Sequence, residues 1–337
     1  MALTQVTCRH WGAYKLYEIA AEDGLRVCVS DLGGIIQSVF LPDGTDAVLG
    51  YDTAEEYLNG ETFFGAMIGP LADRLKDGCC ILDGREICLL RNAGHDTMHS
   101  GPHGFHQIKW QVETLEDGIV LRHSFKEPES EFPGRLDAQI RVRVEGMKLE
   151  LAYSAVCDRE TAVSFTNHSY FRLDKVGCGD EQLKMNATQY AVTSCGADPA
   201  CTGETAEIKG TPFEPLSKGV KIGSVLEQSD FPEIASAGGI DHYFLVPGKG
   251  MRLFAKLTSA DGKRALLCRS DAPGMLVYTA NGLEKEPGKQ GETYLKNAAV
   301  CFETERFPNG VNLPRHRAGV LLAPGERYES VTEFEFL

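Results

Sequence analysis

Polar and apolar residues alternate with period two along much of the chain. Ile140, Val142 and Val144 alternate with Arg141 and Arg143, and beyond Glu145-Gly146 the alternation resumes at Leu149, Leu151 and Tyr153. Near the C-terminus Tyr328, Ser330, Thr332, Phe334 and Phe336 fall on one face, with Arg327, Glu329, Glu333 and Glu335 on the other. Successive side chains of a strand point to opposite faces, so the pattern predicts half-buried β-strands. Asp-Gly recurs at 23–24, 43–44, 77–78, 83–84, 117–118 and 261–262, and Asn-Gly at 59–60, 281–282 and 309–310. Both dipeptides suit the positive φ angles of tight hairpins. Ile81-Leu82 and Ile87-Cys88-Leu89-Leu90 flank one such turn, and 251–257 meets 265–268 across another. Helical pattern is scarce; 53–58, capped by Thr53, is the best candidate. Loops are expected at 93–107, 125–134, 174–181 and 284–292. The reading is all-β, a large antiparallel β-sandwich with very little helix, in one domain over residues 1–337.

Composition narrows this picture. With 42% apolar and 24% charged residues the chain is ordinary globular protein. Its 36 glycines fit the many turns. The charge, 34 basic minus 48 acidic or −14, argues against nucleic acid and against an anionic membrane surface, both of which call for basic patches. No apolar run approaches the ~20 residues of a membrane span. Eleven cysteines suggest a disulfide framework at first, but the number is odd, no CxxC occurs and Met1-Ala2-Leu3-Thr4-Gln5 leads into no secretory signal. Cys79 and Cys80, adjacent in a probable strand, would point to opposite faces. Reduced cysteines serving as small core hydrophobes in a cytoplasmic protein are expected.

The chain lacks a G-x-S-x-G elbow, a phosphate-binding G-x-x-x-x-G-K-[ST] loop, G-x-G-x-x-G and H-E-x-x-H, so serine hydrolysis, nucleotide binding and zinc proteolysis lose their usual support. Three segments carry candidate chemistry. Residues 95–106 hold four of the nine histidines. On a helix His95, His99 and His103 would share a face suited to a metal, but Gly101, Pro102 and Gly104 make this a loop, either solvent-exposed or sugar- or anion-binding. In Thr166-Asn167-His168-Ser169-Tyr170-Phe171, His168 is either a satisfied core histidine or a general acid or base. In Val300-Cys301-Phe302-Glu303, Glu303 is a carboxylate in an apolar strand, either salt-bridged, solvent-exposed or catalytic.

Taken together, these segments resemble the aldose 1-epimerase (galactose mutarotase) family from about residue 30 to the end. Gly69-Pro70-Leu71-Ala72-Asp73-Arg74-Leu75 is similar to the family's G-R-x-A-N-R-I, and Met98-His99-Ser100-Gly101 to its Leu-His-Gly-Gly, with Gly104-Phe105 and Trp110 in step. Thr166-Asn167-His168-Ser169-Tyr170-Phe171 matches its central motif. Ile240-Asp241-His242-Tyr243-Phe244, the stretch from Pro273-Gly274 to Asn281, and Phe302-Glu303-Thr304-Glu305 with Pro308, Asn312 and Pro314 resemble three more. The resemblance implies a β-sandwich with a concave sugar-binding face that interconverts α and β anomers of a free aldose with no cofactor. It implies His168 as the general acid at the ring oxygen and Glu303 as the general base at the C1 hydroxyl. Arg74, His99 and Asp241 would hold sugar hydroxyls.

Three positions depart from the family pattern: Pro70 for arginine, Asp73 for asparagine and Leu276 for glutamine. Asp73 either pairs with Arg74 or binds sugar itself. The loss of an amide at Leu276 bears on which aldose is taken. A small neutral aldose such as galactose or glucose is the expected partner, with the chain a monomer or homodimer. The competing readings are a non-catalytic sugar-binding or sensing protein of the same fold, and a glycoside-cleaving enzyme using Glu303 and Asp241.

Overall fold

A computed structural model describes residues 4–127, 129–175, 177–196 and 199–337. Pro128 and Val176, within two of the expected loops, lie outside the described residues. The long alternating segments form the strands their pattern predicts. Arg135–Glu145 pairs antiparallel with Lys148–Cys157, and Lys148–Cys157 with Arg327–Phe336. Tyr328, Ser330, Thr332, Phe334 and Phe336 are all buried. These strands are the centre of a nine-stranded sheet whose order continues through Ala265–Ser270, Arg252–Thr258, Gln182–Met185 and Val220–Lys221.

A six-stranded antiparallel sheet lies against it. Its order is Tyr170–Phe171, Val300–Glu305, Gly274–Tyr278, Asp241–Leu245, Gln189–Thr193 and Cys201–Glu207. Val300, Phe302, Met275, Val277 and Phe244 point from this sheet into one cluster with Leu149, Leu266, Phe254, Phe334 and Phe336 of the larger sheet. The rings of Phe171 and Phe334 meet across the gap at 4.7 Å. Full burial of each such side chain contributes about 1.5–3 kcal/mol. A four-stranded N-terminal sheet from Thr4–Trp11 to Ile36–Phe40 adds Ile19, Val27 and Ile36 to the same core. The other face of the six-stranded sheet is thereby left free to carry polar side chains.

Five of the six Asp-Gly pairs do turn the chain back on itself as expected. The exception is Asp77-Gly78, which lies in the 3₁₀ turn Lys76–Gly78. No Asn-Gly pair closes a hairpin: Asn59-Gly60 ends the helix Ala54–Asn59, and Asn309 in the left-handed region caps the turn Gly310–Asn312. The helix carries the expected cap, with Thr53 Oγ1 accepting from Glu56 N–H and the Glu56 carboxylate accepting from Thr53 N–H. Short helices at Ile222–Leu226, Pro232–Ala237 and Arg317–Val320 were not expected. At a turn and a half or less they carry too few residues for a 3.6-residue period to show. The expected loops hold short elements too: the strand Gly118–Lys126 runs two residues into 125–134, and Thr97–Met98 and Glu286–Pro287 are two-residue strands.

The cysteine reading needs one correction. Cys79 and Cys88 are joined as a disulfide across the hairpin Cys79–Leu82/Arg85–Cys88. The turn at Asp83-Gly84 sets a register in which these two residues face each other with Cα atoms 4.1 Å apart. Seven other cysteines are buried as expected, and Cys8 and Cys195 are exposed.

Glu181 is fully buried, and its Oε2 has no hydrogen-bond partner. Its Oε1 accepts from Leu173 and Asp174 N–H at 2.7 and 3.0 Å, and burial pushes its carboxyl up to about 8. A raised native value means that native stability is lost as pH rises from the ordinary 4.5 to about 8. Glu181→Gln keeps the acceptor oxygen and removes the ionisation. Its Tm is expected to match wild type near pH 4.5 and to exceed it by a margin that grows up to pH 8 and then levels off, measured by circular dichroism. A margin independent of pH would refute the assignment.

Candidate active site

The free face of the six-stranded sheet is organised in rows. Leu276 pairs with Glu303 on one side and with Tyr243 on the other. On the far side of Glu303, Tyr170 pairs with Cys301, and continuing that register by two residues brings His168 opposite Glu303. One row therefore reads His168, Glu303, Leu276, Tyr243, and the next reads Tyr170, Cys301, Tyr278, Asp241. Strand alternation puts Val300 and Phe302 in the core and Glu303 on the site face, as their order in the sequence required.

The backbone of His168 is fixed from both sides. Its N–H donates to Ala66 O and its carbonyl accepts from Gly65 N–H, both at 2.9 Å. Asn167 braces the turn, its amide donating to Gly65 O and its Oδ1 accepting from Ser169 Oγ at 2.6 Å. The imidazole stacks on Tyr170 at 4.9 Å and lies 6.1 Å from a nearly parallel Phe63. Its Nε2 is 3.4 Å from Glu303 Oε1, a close approach without the geometry of a formed hydrogen bond. His168 Nδ1 and Glu303 Oε1 are both buried without a hydrogen-bond partner.

His99 arrives from the loop below. His99, Ser100 and Gly101 all have positive φ, 52°, 66° and 69°. A Cβ at Gly101 would lie 2.7 Å from Leu90 O, so glycine is required there. The strained turn is held by Ser100, whose hydroxyl accepts from Leu71 N–H at 2.8 Å and donates to Leu71 O at 3.0 Å. His99 Nδ1 accepts from Asp73 N–H at 3.1 Å, which puts the ring proton of the neutral tautomer on Nε2. Ligand atoms of His99, His168 and Glu303 lie within 4.8 Å of one another, a spacing a cation could bridge. A metal ligand needs a lone pair where His99 carries its proton, so this donor set suits a hydrogen-bond donor better than a metal.

The four loop histidines divide. His95 and His103 are exposed, His106 packs edge-on to Phe63 at 4.9 Å, and only His99 is built into the site. The Arg74 guanidinium pairs with Asp96 at 3.2 Å, whereas Asp73 only accepts from the Arg74 backbone N–H at 2.5 Å and otherwise faces the cavity. Asp96 was not singled out from the sequence, because its role depends on a pairing of Arg74–Leu75 with Thr97–Met98.

Asp73, Arg74, His99, His168, Asp241 and Glu303 thus line one cavity of about 570 Å³, with Phe63, Tyr170, Tyr243, Leu276 and Tyr278. Burial dominates its electrostatics. The carboxyl of Glu303 is raised well above 4.5, first by burial and then by Asp73 and Asp241. Asp241 is raised to about 7 by burial and Asp73, partly offset by Arg74. Burial lowers His168 to about 3 and takes His99 well below its ordinary value. Glu305, whose two oxygens are buried and unpartnered, is raised by burial and then by Asp73 and Glu303. Burial thus favours the uncharged form of both partners, the imidazole of His168 and the carboxylic acid of Glu303.

Such a site offers one group that can give a proton and one that can take it, in a cavity lined by further polar side chains. Glu303 has an imidazole as its neighbour, while Asp241 lies two strands and two residues away, about 12 Å along the backbone grid.

A sequence profile described as aldose 1-epimerase matches residues 15–335. Galactose mutarotase of Bos taurus is 34% identical over 323 residues, covering 93% of this chain and 92% of the relative. Aldose 1-epimerase of Escherichia coli (strain K12) is 30% identical over 335 residues, covering 96% and 95%. Among solved structures, an aldose epimerase homologue from C. elegans superposes with a TM-score of 0.88 at 23% identity, covering 96% of this chain and 99% of that one. Galactose 1-epimerase from Lactobacillus acidophilus superposes with 0.84 at 24% identity, covering 100% and 99%. A profile match over nearly the whole chain and relatives alike over their full length show that the chain belongs to the aldose 1-epimerase family.

Proposed function

We propose that His168 and Glu303 carry out the anomer interconversion that the family performs, His168 as general acid and Glu303 as general base. The observation that carries this reading is the 3.4 Å approach of His168 Nε2 to Glu303 Oε1 inside the cavity, with neither group bound to any other side chain. Glu303 takes the proton of the C1 hydroxyl and His168 delivers one to the ring oxygen. The C1–O5 bond breaks, the open-chain aldehyde turns about C1–C2, and closure on the other carbonyl face with both transfers reversed gives the other anomer. The 3.4 Å separation lets a proton pass between the two groups. Positioned acid–base catalysis of this kind contributes roughly 10²–10⁴-fold, and orientation in a cleft adds to it.

Arg74 and Asp241 bind hydroxyls, His99 donates its Nε2–H toward the oxygen at C1, and Asp73 accepts from the sugar. The carboxyls around the cavity favour a neutral aldose, such as galactose or glucose, over a sugar phosphate. Among the described residues no helix is long and apolar enough to cross a membrane. One core cluster running from Tyr17 to Phe336 supports a single domain. The test is to dissolve α-glucose, α-galactose and a panel of other aldoses and follow equilibration by polarimetry or NMR. Acceleration over buffer is expected for at least one hexose; none for any sugar would favour a non-catalytic binding protein.

A further inference from the structure

Within the cavity floor, Leu276 is the side chain next to Glu303 on the side away from His168. It is 8% exposed and faces the cavity. Its neighbours on the same face are Glu303 and Tyr243 across the sheet, and Gly274 and Tyr278 along its own strand. Gly274 has no side-chain hydrogen-bonding group, and both tyrosine hydroxyls bond to groups other than Leu276's surroundings. The Tyr243 hydroxyl donates to Glu305 O at 3.1 Å, and its ring covers Gly274 so closely that a Cβ there would lie 2.4 Å from Cζ. The Tyr278 hydroxyl is engaged by Gly282 N–H at 2.8 Å. At Leu276 itself, beside the proposed base, the floor is apolar.

The order of the row sets what lies over this patch. With the acid His168 at the ring oxygen and the base Glu303 at C1, the next ring atom along the same direction is C2. The geometry points to Leu276 as a specificity-determining residue that faces C2 of the sugar, and to 2-deoxy aldoses as good substrates of this chain. A hydroxyl at C2 directed at Leu276 would be buried without a partner, whereas a methylene there packs against the leucine. An apolar wall rejects an added hydroxyl only moderately, so 2-hydroxy aldoses remain substrates.

The inference rests on His168 and Glu303 acting at the ring oxygen and C1. It is tested by measuring kcat/KM for glucose, galactose and their 2-deoxy forms by NMR, each against its own rate in buffer. Wild type, Leu276→Gln and Leu276→Met are compared, with thermal melts to confirm folding. Wild type is expected to turn over the 2-deoxy sugar at least as well as its parent. Leu276→Gln, which adds an amide at nearly constant volume, should shift the ratio toward the parent by about tenfold or more, and Leu276→Met should leave it unchanged. A wild-type preference of tenfold for the parent, or a ratio that Leu276→Gln does not move, overturns the assignment while leaving the mutarotase reading intact. Failure to accelerate any of the four sugars overturns the reading of the site itself.

Discussion

Glu303→Gln is expected to lower kcat/KM for mutarotation by about 10²–10⁴-fold with the fold intact. The substitution keeps the size and one acceptor oxygen but removes the group that takes the proton from the C1 hydroxyl. Stability should move the other way. Burial raises the Glu303 carboxyl well above 4.5, so the native state loses stability as pH climbs through that range, and an amide carries no such cost. At pH 7 the variant should therefore melt no lower than wild type. Polarimetry on a fresh aldose, paired with a thermal melt, separates the two effects. Activity within a few-fold of wild type would remove Glu303 from the mechanism.

His168→Asn should cost about the same factor, and the double variant Glu303→Gln/His168→Asn little more than either single one, because acid and base work on one proton cycle. The pH dependence separates this role from a structural one. In wild type kcat/KM should fall on the acid side as His168 takes up a proton near 3. The His168→Asn residual activity should lack the acid limb. The native value of His168 lies below the ordinary 6.5, so wild-type stability is retained above pH 6.5 and drains away as pH falls toward 3. The asparagine variant is spared that loss and should gain in relative Tm between pH 6.5 and 4. A variant that melts like wild type at every pH would mean that His168 is not buried as an uncharged imidazole.

The architecture was legible wherever one face of a strand is buried and the other wet. The alternation at Arg135–Glu145 and Arg327–Phe336 states directly which side chains meet the core. The strand Val300–Glu305 is buried on both faces, and alternation told only that Glu303 and Phe302 part company. That Glu303 meets His168 depends on Val300–Glu305 pairing with Tyr170–Phe171, a contact between distant segments that no local pattern encodes. The family resemblance supplied what periodicity could not. The Cys79–Cys88 disulfide is the opposite case. The turn at 83–84 fixed the register that brings the two residues together, but counting cysteines by spacing alone passed over it. Asp96 and Glu305 escaped notice because their roles are set by buried neighbours: Arg74 for one, Asp73 and Glu303 for the other.

The row His168, Glu303, Leu276, Tyr243 is assembled from four strands or strand ends that follow one another in space but not along the chain. A ribosome making this protein releases His168 long before its partner Glu303. The cavity thus closes only after the last strands have threaded into a sheet whose earlier members are already waiting. Pairings of such high sequence separation form slowly. Mutarotase activity during refolding is therefore a clock for the final step: it should appear after the circular dichroism of the strands, together with the loss of exposed apolar surface.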